Sequence, residues 1–308
     1  MLITFATRHS SLARWQTQWV SRQLESFWPS LVCRELMVTT QGDIKLDHPL
    51  PDIGGKGVFT MELESELLTR HVQAAVHSLK DLPVENNPEL TIGAIPVRAD
   101  VRDVLVSARG LTLMELPDGA RVGTSSLRRS AQLLALRPDL QIESLRGNVD
   151  TRLRKAREGQ YDAIVLAGAG LARLGLEQFI TEWLSLDMML PAPGQGALAV
   201  QCRADDDETL GLLAPLEDSQ TRAAVTAERA FLSGLGGGCA VPVAAYAAPQ
   251  ITGDTSAIEL TGLVASLDGR RLLRLRGMGP DPVLLGAQLA QEAISQGAHE
   301  ILSSVIKL

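Results

Sequence analysis

Residues 121–167, RVGTSSLRRSAQLLALRPDLQIESLRGNVDTRLRKAREGQYDAIVLA, alternate short apolar runs with stretches of helical periodicity. We expect strands at residues 121–123, 140–144 and 163–167, with helices that begin near Ser125 and Val149. Strands that alternate with helices form βαβ units, so this stretch predicts a largely parallel sheet covered by helices. The predicted fold class is α/β.

Arginines flank both strand-to-helix turns of this stretch. Arg128 and Arg129 follow the first turn, while Arg146 precedes the second turn and Arg152 follows it. The N-terminal end of a helix binds anions and disfavours cations, so arginines at two successive helix starts indicate a bound anion. Residues 121–157 hold nine Lys or Arg and three Asp or Glu, in a chain of net charge −7. For any single arginine, a solvated helix face is the alternative.

The N-terminal residues show the same strand-to-helix pattern. An apolar strand at residues 2–6 runs into T-R-H-S-S and then into a helix that reaches about Phe27. Ser10 or Ser11 is suited to cap this helix, which leaves Arg8 beside its first amide groups. An anion site at Arg8 and a surface ion pair of Arg8 explain the segment equally well.

Two further segments are candidates for function. Residues 40–58 have glycines, prolines and charges but no sustained period, so we interpret them as a lid loop. Lys80 and Asp81 follow a short apolar strand, at the position where open α/β sheets bind ligands. A solvent-exposed turn before Pro83 fits Lys80 and Asp81 as well.

Residues 228–244, ERAFLSGLGGGCAVPVA, place a cysteine after a helix and three glycines. Cys239 is therefore expected on a turn whose flexible backbone lets a bulky group approach. A helix C-cap followed by a small buried thiol is the alternative interpretation.

Polar crossings at residues 97–103 and 191–196 suggest two α/β lobes that flank a cleft, with P-A-P-G-Q-G at the second crossing as a hinge. We expect residues 1–96 and 197–215 to form domain 1 and residues 102–190 to form an arginine-rich domain 2. Residues 219–308 are expected to form a small α+β domain 3 that carries Cys239.

Composition excludes several classes of protein. The N-terminus does not resemble a signal peptide, and no apolar run is long enough to cross a membrane. Three cysteines without a C-x-x-C motif indicate a reducing compartment, and the five histidines show no metal-ligand spacing, so we expect no metal site. The negative net charge and the 4% aromatic content disfavour nucleic-acid binding.

Seven motifs in this order make the chain resemble one family, the porphobilinogen deaminases, also called hydroxymethylbilane synthases. They are A-T-R-H-S, G-G-K-G-V-F, H-S-L-K-D-L-P, G-T-S-S-L-R-R, R-G-N-V-D-T-R-L, P-A-P-G-Q-G-A and L-G-G-G-C-A-V-P. The resemblance covers nearly the whole chain. It implies two lobes like those of periplasmic binding proteins and a small third domain, in a cytoplasmic monomer.

The resemblance also implies a reaction. Four porphobilinogen molecules are condensed head-to-tail onto a dipyrromethane cofactor, ammonia is released, and water frees the linear tetrapyrrole hydroxymethylbilane. The cofactor is attached by a thioether, here to Cys239, and Asp81 matches the catalytic aspartate. Lys56 and Phe59 belong to the lid. The residues that would bind cofactor and substrate carboxylates are Arg8, Ser10, Lys80, Thr124, Ser125, Ser126, Arg128, Arg129, Arg146, Gly147, Arg152 and Arg173.

The chain departs from the family pattern at a few positions. Asp52 stands where relatives often have lysine, and Gln201 stands where they usually have glutamate. A two-lobed protein that binds anions without catalysis is the alternative function, but it has no need of Cys239 on a glycine turn.

Overall fold

The computed structural model describes residues 1–44, 60–85, 87–237, 241–252 and 255–306. The chain falls into two compact units, each built from segments that are distant in sequence. The first unit holds Met1–Ala99 and Gly196–Arg222, and the second holds Asp100–Gln195 and Ala223–Leu308. Two of the boundaries lie inside the crossing segments that the sequence indicates. Within the described residues, no helix combines the length and apolar character needed to span a membrane.

The first unit is a five-stranded mixed sheet with helices. Its elements are β1 (Leu2–Arg8), α1 (Ser11–Phe27), β2 (Val32–Val38), α2 (Gln41–Ile44), α3 (Met61–Leu68), β3 (Ala74–Ser78), β4 (Leu90–Ala94), β10 (Leu198–Arg203) and α7 (Asp207–Leu213). The strand order is β2-β1-β3-β10-β4. Strands β2, β1 and β3 are parallel, whereas β10 is antiparallel to both β3 and β4.

Helix α1 packs on the sheet of the first unit through one buried face. Its buried residues recur every three or four positions, so they form one stripe that packs on the sheet. The Ser10 Oγ accepts a hydrogen bond from the Ala13 N–H at 3.3 Å and caps the helix, which agrees with one of the two predicted caps. The carboxyl end of β1, with Arg8, is thereby fixed directly before the helix start.

The second unit begins with another five-stranded sheet. Its elements are β5 (Asp103–Ser107), β6 (Arg121–Gly123), α4 (Leu127–Leu136), β7 (Gln141–Glu143), α5 (Val149–Arg157), β8 (Ala163–Ala167), α6 (Gly168–Arg173) and β9 (Glu182–Trp183). The strand order is β7-β6-β8-β5-β9, with β7, β6 and β8 parallel and β5 antiparallel to its neighbours. This is the α/β alternation that the sequence predicts.

The rest of the second unit is a three-stranded antiparallel sheet with helices. Its elements are α8 (Ser219–Gly234), whose first four residues belong to the first unit, and β11 (Val243–Thr252), β12 (Thr255–Ala265), β13 (Leu272–Gly279), α9 (Pro282–Ser295) and α10 (Ala298–Ile306). Phe231 of α8 is fully buried, and its ring lies where a side chain on Gly262 would be, since a Cβ there would come within 2.5 Å of the ring. These elements form the small α+β part that the sequence predicts.

One buried cluster joins the two parts of the second unit. Ala131 of α4 and Leu190 pack with Ala244, Leu263 and Ala265 of the three-stranded sheet. A shared apolar cluster gives the two parts a common core, which explains why they form one compact unit. The division of the chain into three domains stays a prediction.

Several elements were not expected from the sequence, namely α2, which lies in the predicted lid loop, and β4, α6, β9, α7, β11 and α10. Strand β11 is rich in alanine and contains Pro249, both of which are uncommon in strands. It nevertheless pairs with β12 along its entire length of 10 residues. Partners on a neighbouring strand therefore override its weak local preference.

The buried carboxylate of Glu228 in α8 connects the segment at Gly194 to strand β11. It accepts hydrogen bonds from the Gly194 N–H at 2.7 Å and from the Ala247 N–H of β11 at 2.8 Å. Residues 191–195, which the sequence suggests as part of a hinge, are mostly buried at this point. The carboxylate satisfies two backbone donors that would otherwise be buried without a partner.

Replacing Glu228 by alanine is expected to lower the free energy of unfolding by about 2–4 kcal/mol, because two buried N–H groups lose their acceptor. Urea unfolding followed by circular dichroism measures this loss. Glu292→Ala is the control, since Glu292 is exposed on α9, and it should change stability by less than about 0.5 kcal/mol. Equal effects of the two substitutions would contradict the structural role of Glu228.

Candidate functional site

One edge of the sheet in the second unit collects most of the predicted binding residues. Strands β7, β6 and β8 are adjacent and parallel, so their carboxyl ends lie side by side. In open α/β sheets ligands bind outside such ends. The turns and helices that follow these three strands carry Thr124, Ser125, Ser126, Arg128, Arg129, Arg146, Gly147, Arg152 and Arg173.

The hydroxyl groups of the first turn hold the loops of this edge in place. The Ser125 Oγ donates to the Leu145 carbonyl at 2.8 Å and accepts from the Leu145 N–H at 3.1 Å. The Ser126 Oγ accepts from the Arg129 N–H and caps α4. The Thr124 Oγ1 accepts from the Ser126 N–H at 3.2 Å. Helix α4 therefore begins two residues later than predicted, with Ser126 as its cap.

Arg128 and Arg129 are both buried, and both pair with Asp103 at the start of β5. The Arg128 Nη1 donates to the Asp103 Oδ2 and to the Leu190 carbonyl, each at 2.7 Å. The Arg129 Nη2 and Nε donate to the Asp103 Oδ1 at 2.7 and 3.1 Å, and its Nη1 donates to the Val165 carbonyl at 3.1 Å. An internal carboxylate thus supplies an anion for the two arginines, and their role in binding a ligand stays a prediction.

Asp103 is completely buried yet ionised. Burial alone opposes its charge, but the charges of Arg128 and Arg129 and their hydrogen bonds hold the pKa of this carboxyl well below its usual range. The Gln195 Nε2 donates to the Asp103 Oδ1 at 2.9 Å and to the Val101 carbonyl at 2.8 Å. Sequence reasoning missed Asp103, because a single aspartate within a polar crossing segment carries no signal of burial.

Two other arginines of this edge are Arg152, which contacts the turn at Gly147, and Arg173, which is partly buried. Gly147 has a φ of 112°, and a Cβ there would come within 2.8 Å of the Thr151 side chain, so the turn requires glycine. The Gly147 carbonyl accepts a hydrogen bond from the Arg152 Nε at 2.6 Å. Burial lowers the pKa of Arg173 to about 10, so Arg173 is still a cation at neutral pH.

The first unit carries a second group of predicted residues. Arg8 ends β1, and Lys80 and Asp81 lie in a 3-10 turn, Leu79–Asp81, directly after β3. Asp81 is exposed, as a carboxylate that contacts a ligand must be. The Ser78 Oγ at the end of β3 accepts a hydrogen bond from the Gln16 Nε2 of α1 at 2.8 Å, which connects this strand end to the helix after Arg8.

Lys56, Phe59, Asp52 and Cys239 lie outside the described residues. The other two cysteines, Cys33 and Cys202, are described. Burial raises the pKa of both the Cys33 and the Cys202 thiol to about 11, with help from the charges of Glu25 and Asp206 respectively. Because the thiolate is the nucleophile, both are poor sites for covalent attachment. Among the described residues, no group of three or more His, Cys, Asp and Glu side chains could hold a metal ion.

Family models match almost the whole chain. The porphobilinogen deaminase dipyromethane cofactor binding domain matches residues 3–211, and the porphobilinogen deaminase C-terminal domain matches residues 222–295. The chain belongs to the porphobilinogen deaminase family. Both groups of site residues lie within the first of these two matches.

Curated relatives agree with the family models over the full length. The chain is 52% identical to porphobilinogen deaminase from Brevibacillus brevis, over 98% of this chain and 96% of the relative. It is 53% identical to porphobilinogen deaminase from Roseiflexus castenholzii, over 98% of both. Among solved structures, the ligand binding component of an ABC-type import system from Staphylococcus aureus is similar at a TM-score of 0.38 and 12% identity, over 77% of this chain and 74% of that one.

Asp103→Ala is expected to lower the free energy of unfolding by about 3–5 kcal/mol at pH 7, because it leaves two arginines buried without their carboxylate. The low pKa of Asp103 means that its contribution is complete above about pH 4 and is lost as the pH falls further. Urea unfolding at pH 7 and pH 3 should therefore show a smaller difference from wild type at pH 3.

The control for this substitution is Asp100→Ala. Asp100 pairs with Arg102 at 2.6 Å, but the Asp100 side chain is 35% exposed and the Arg102 side chain is 41% exposed. A solvent-screened pair of this kind contributes less than about 1 kcal/mol. If Asp103→Ala is no more destabilising than Asp100→Ala, the buried pair does not stabilise the unit.

Proposed function

We propose that this chain is the transferase that condenses four porphobilinogen molecules onto a dipyrromethane primer and releases ammonia and hydroxymethylbilane. The observation that carries the proposal is the full-length match to the porphobilinogen deaminase family. The position of the predicted residues supports it, because both sheets carry cationic side chains at the carboxyl ends of their parallel strands. A monomeric state and a cytoplasmic location are part of the proposal.

The residues of the second unit suit a ligand that carries many carboxylates. Porphobilinogen has acetate and propionate side chains, so a growing pyrrole chain gathers negative charge that fixed cations must balance. The edge formed by β7, β6 and β8 provides arginines at successive strand ends, and Arg173 among them is a partly buried cation. Guanidinium groups bind carboxylates by two parallel hydrogen bonds, which favours arginine for this task.

A dipyrromethane attached to Cys239 would supply the free pyrrole carbon onto which the first substrate is added. The described cysteines support this attachment by their own chemistry. The thiols of Cys33 and Cys202 both have pKa values raised to about 11, so only a small fraction of either thiol is ionised to the thiolate at neutral pH. Cys239 follows three glycines in sequence, which suits a position where a bulky group must approach the backbone.

Asp81 is the residue that we assign to the chemistry. Its carboxylate is exposed at the end of β3, beside Lys80 and on the same sheet edge as Arg8. An ionised carboxylate can accept the N–H group of a pyrrole and stabilise the positive charge that develops when ammonia leaves. Arg8 and Lys80 would hold the carboxylates of the same ring.

Cys239→Ala is expected to yield protein without the covalent dipyrrole, because the thioether cannot form. Cys33→Ala and Cys202→Ala should keep the adduct. Intact mass and the acid colour reaction with an aldehyde reagent for pyrroles measure the adduct in each purified variant. Peptide mapping that places it on Cys33 or Cys202 would refute the assignment, and a bare polypeptide mass for the wild type would favour a binding protein without catalysis.

Asp81→Asn is expected to lower kcat on the order of a hundredfold or more, because the neutral amide cannot stabilise the developing cation. Asp81 is exposed, so the variant should fold normally. Asp81→Glu, which keeps the charge but moves it by one methylene group, should have an intermediate kcat.

Single-turnover assays of protein that already carries the cofactor measure this effect without the confounding loss of primer. The matched control is Asp205→Asn, an exposed aspartate of the same unit in a surface pair with Arg70. Wild-type elongation by the loaded Asp81→Asn variant would show that Asp81 is merely a turn residue.

A further inference from the structure

The turn that leads from β7 into α5 is bound by side chains at four consecutive carbonyl groups. These are the carbonyls of residues 144–147, a stretch that includes Arg146. Their donors are the Tyr161 hydroxyl to Ser144 at 2.8 Å, the Ser125 Oγ to Leu145 at 2.8 Å, the Lys155 Nζ to Arg146 at 3.3 Å and the Arg152 Nε to Gly147 at 2.6 Å. Because a turn has no strand partner for its carbonyls, these side chains fix the path of the backbone around Arg146.

Tyr161 contacts both strand-to-helix turns of this edge. Its hydroxyl binds the Ser144 carbonyl in the second turn. Its ring packs against Gly123, directly before the first turn, since a Cβ on Gly123 would come within 2.9 Å of the ring. The Ser125 and Ser144 hydroxyls, 3.0 Å apart, join the two turns directly. Tyr161 therefore lies where the two turns meet.

The surroundings of Tyr161 suit a fixed role. Tyr161 is 8% exposed and packs in one apolar cluster with Leu145 of the turn and Leu153 of α5. Burial raises the pKa of its phenol, and the charge of Glu143 raises this pKa further, so the hydroxyl keeps its proton at neutral pH and can donate it to the carbonyl.

We propose that Tyr161 is a positioning residue, which holds the turn at residues 144–147 so that Arg146 meets a ligand carboxylate in one orientation. Tyr161 is enclosed and its hydroxyl is already bonded, so it acts through the turn and touches no ligand itself. Because it assigns Arg146 a ligand, this proposal rests on the proposed function. It gives a role to a residue outside the set that the family resemblance assigns to binding.

Loss of the hydroxyl would release the Ser144 carbonyl, two residues before Arg146. The turn would then populate further conformations, and only a fraction of the molecules would present Arg146 correctly. The apparent affinity for a ligand falls by that fraction. Asp81, to which we assign the chemistry, belongs to the first unit and takes no part in these contacts. KM should therefore change more than kcat.

The first experiment measures KM and kcat for porphobilinogen with Tyr161→Phe holoenzyme, whose cofactor content is verified by intact mass. KM should rise roughly three- to tenfold, the range that one hydrogen bond supports, and kcat should stay within about twofold of wild type. Tyr246→Phe is the matched control, because Tyr246 is the other tyrosine of the chain and packs in β11, away from both turns. Its KM should equal that of wild type. A KM of Tyr161→Phe that equals the wild-type value overturns the proposal.

The second experiment tests whether Tyr161 acts through Arg146. Arg146→Lys keeps a cation but replaces the planar guanidinium by a compact ammonium on a flexible stem, which depends less on the orientation of the backbone. Adding Tyr161→Phe to Arg146→Lys holoenzyme should therefore raise KM by less than about twofold. A full three- to tenfold rise in this background would show that Tyr161 stabilises the unit without positioning Arg146, which contradicts the proposal.

The third experiment follows the turn itself, without any turnover. The Leu145 N–H donates to the Ser125 Oγ, so its hydrogen exchange reports on the order of the turn. Exchange in holoprotein peptides that span residues 144–148 should be roughly three- to tenfold faster in Tyr161→Phe than in wild type, and unchanged in Tyr246→Phe. Unchanged exchange in Tyr161→Phe overturns the proposal, and so does faster exchange with an unaltered KM.

Failure of the proposed function is recognised separately. Wild-type holoprotein would then not consume porphobilinogen at all, and the assignment of a ligand to Arg146 would fall with it. Hydrogen exchange would still show whether Tyr161 holds the turn.

Discussion

The second unit depends on one buried carboxylate. Asp103 lies between the guanidinium groups of Arg128 and Arg129 and also accepts from Gln195. Charges in an apolar interior are costly unless they are paired and fully hydrogen-bonded, so none of these groups can move without the others. The start of β5, the first turn of α4, and residues 190–195 must therefore keep their places together.

This constraint shapes the edge that carries the remaining cations. Because Asp103 holds Arg128 and Arg129, the beginning of α4 is fixed, and the hydroxyls of Ser125 and Ser126 fix the turn before it. An internal anion also balances part of the repulsion that successive arginines at helix starts would create. On the proposed function, a ligand with carboxylates would meet a surface whose turns are already ordered, which would reduce the entropy lost on binding.

The first unit differs from the second in the charge of the buried polar side chain near its predicted site. Its catalytic candidate, Asp81, is exposed on the turn after β3, and that strand carries His77, which is buried and uncharged at neutral pH. The two units therefore contrast physically. The second unit has a paired ionic cluster of Asp103, Arg128 and Arg129 in its interior, whereas the buried His77 of the first unit is uncharged.

The sequence by itself determined the α/β class, the positions of most strands and helices, and the residues that follow the strand ends. These are local properties, set by the period of apolar residues and by capping hydroxyls such as Ser10 and Ser126. For the same reason, the order of motifs was enough to indicate the family. Strand β11 was missed because its alanines carry little local preference for a strand.

Only the tertiary structure decided what each charged or polar side chain meets. Asp103 is 25 residues from Arg128 in sequence, and Gln201 is 137 residues from Glu64, so no local pattern links them. Burial also sets the pKa values of titratable side chains. It lowers the pKa of His77 to about 4 and raises the pKa of Cys202 to about 11. Desolvation depends on every chain segment that surrounds a group, and those segments are brought together only by folding.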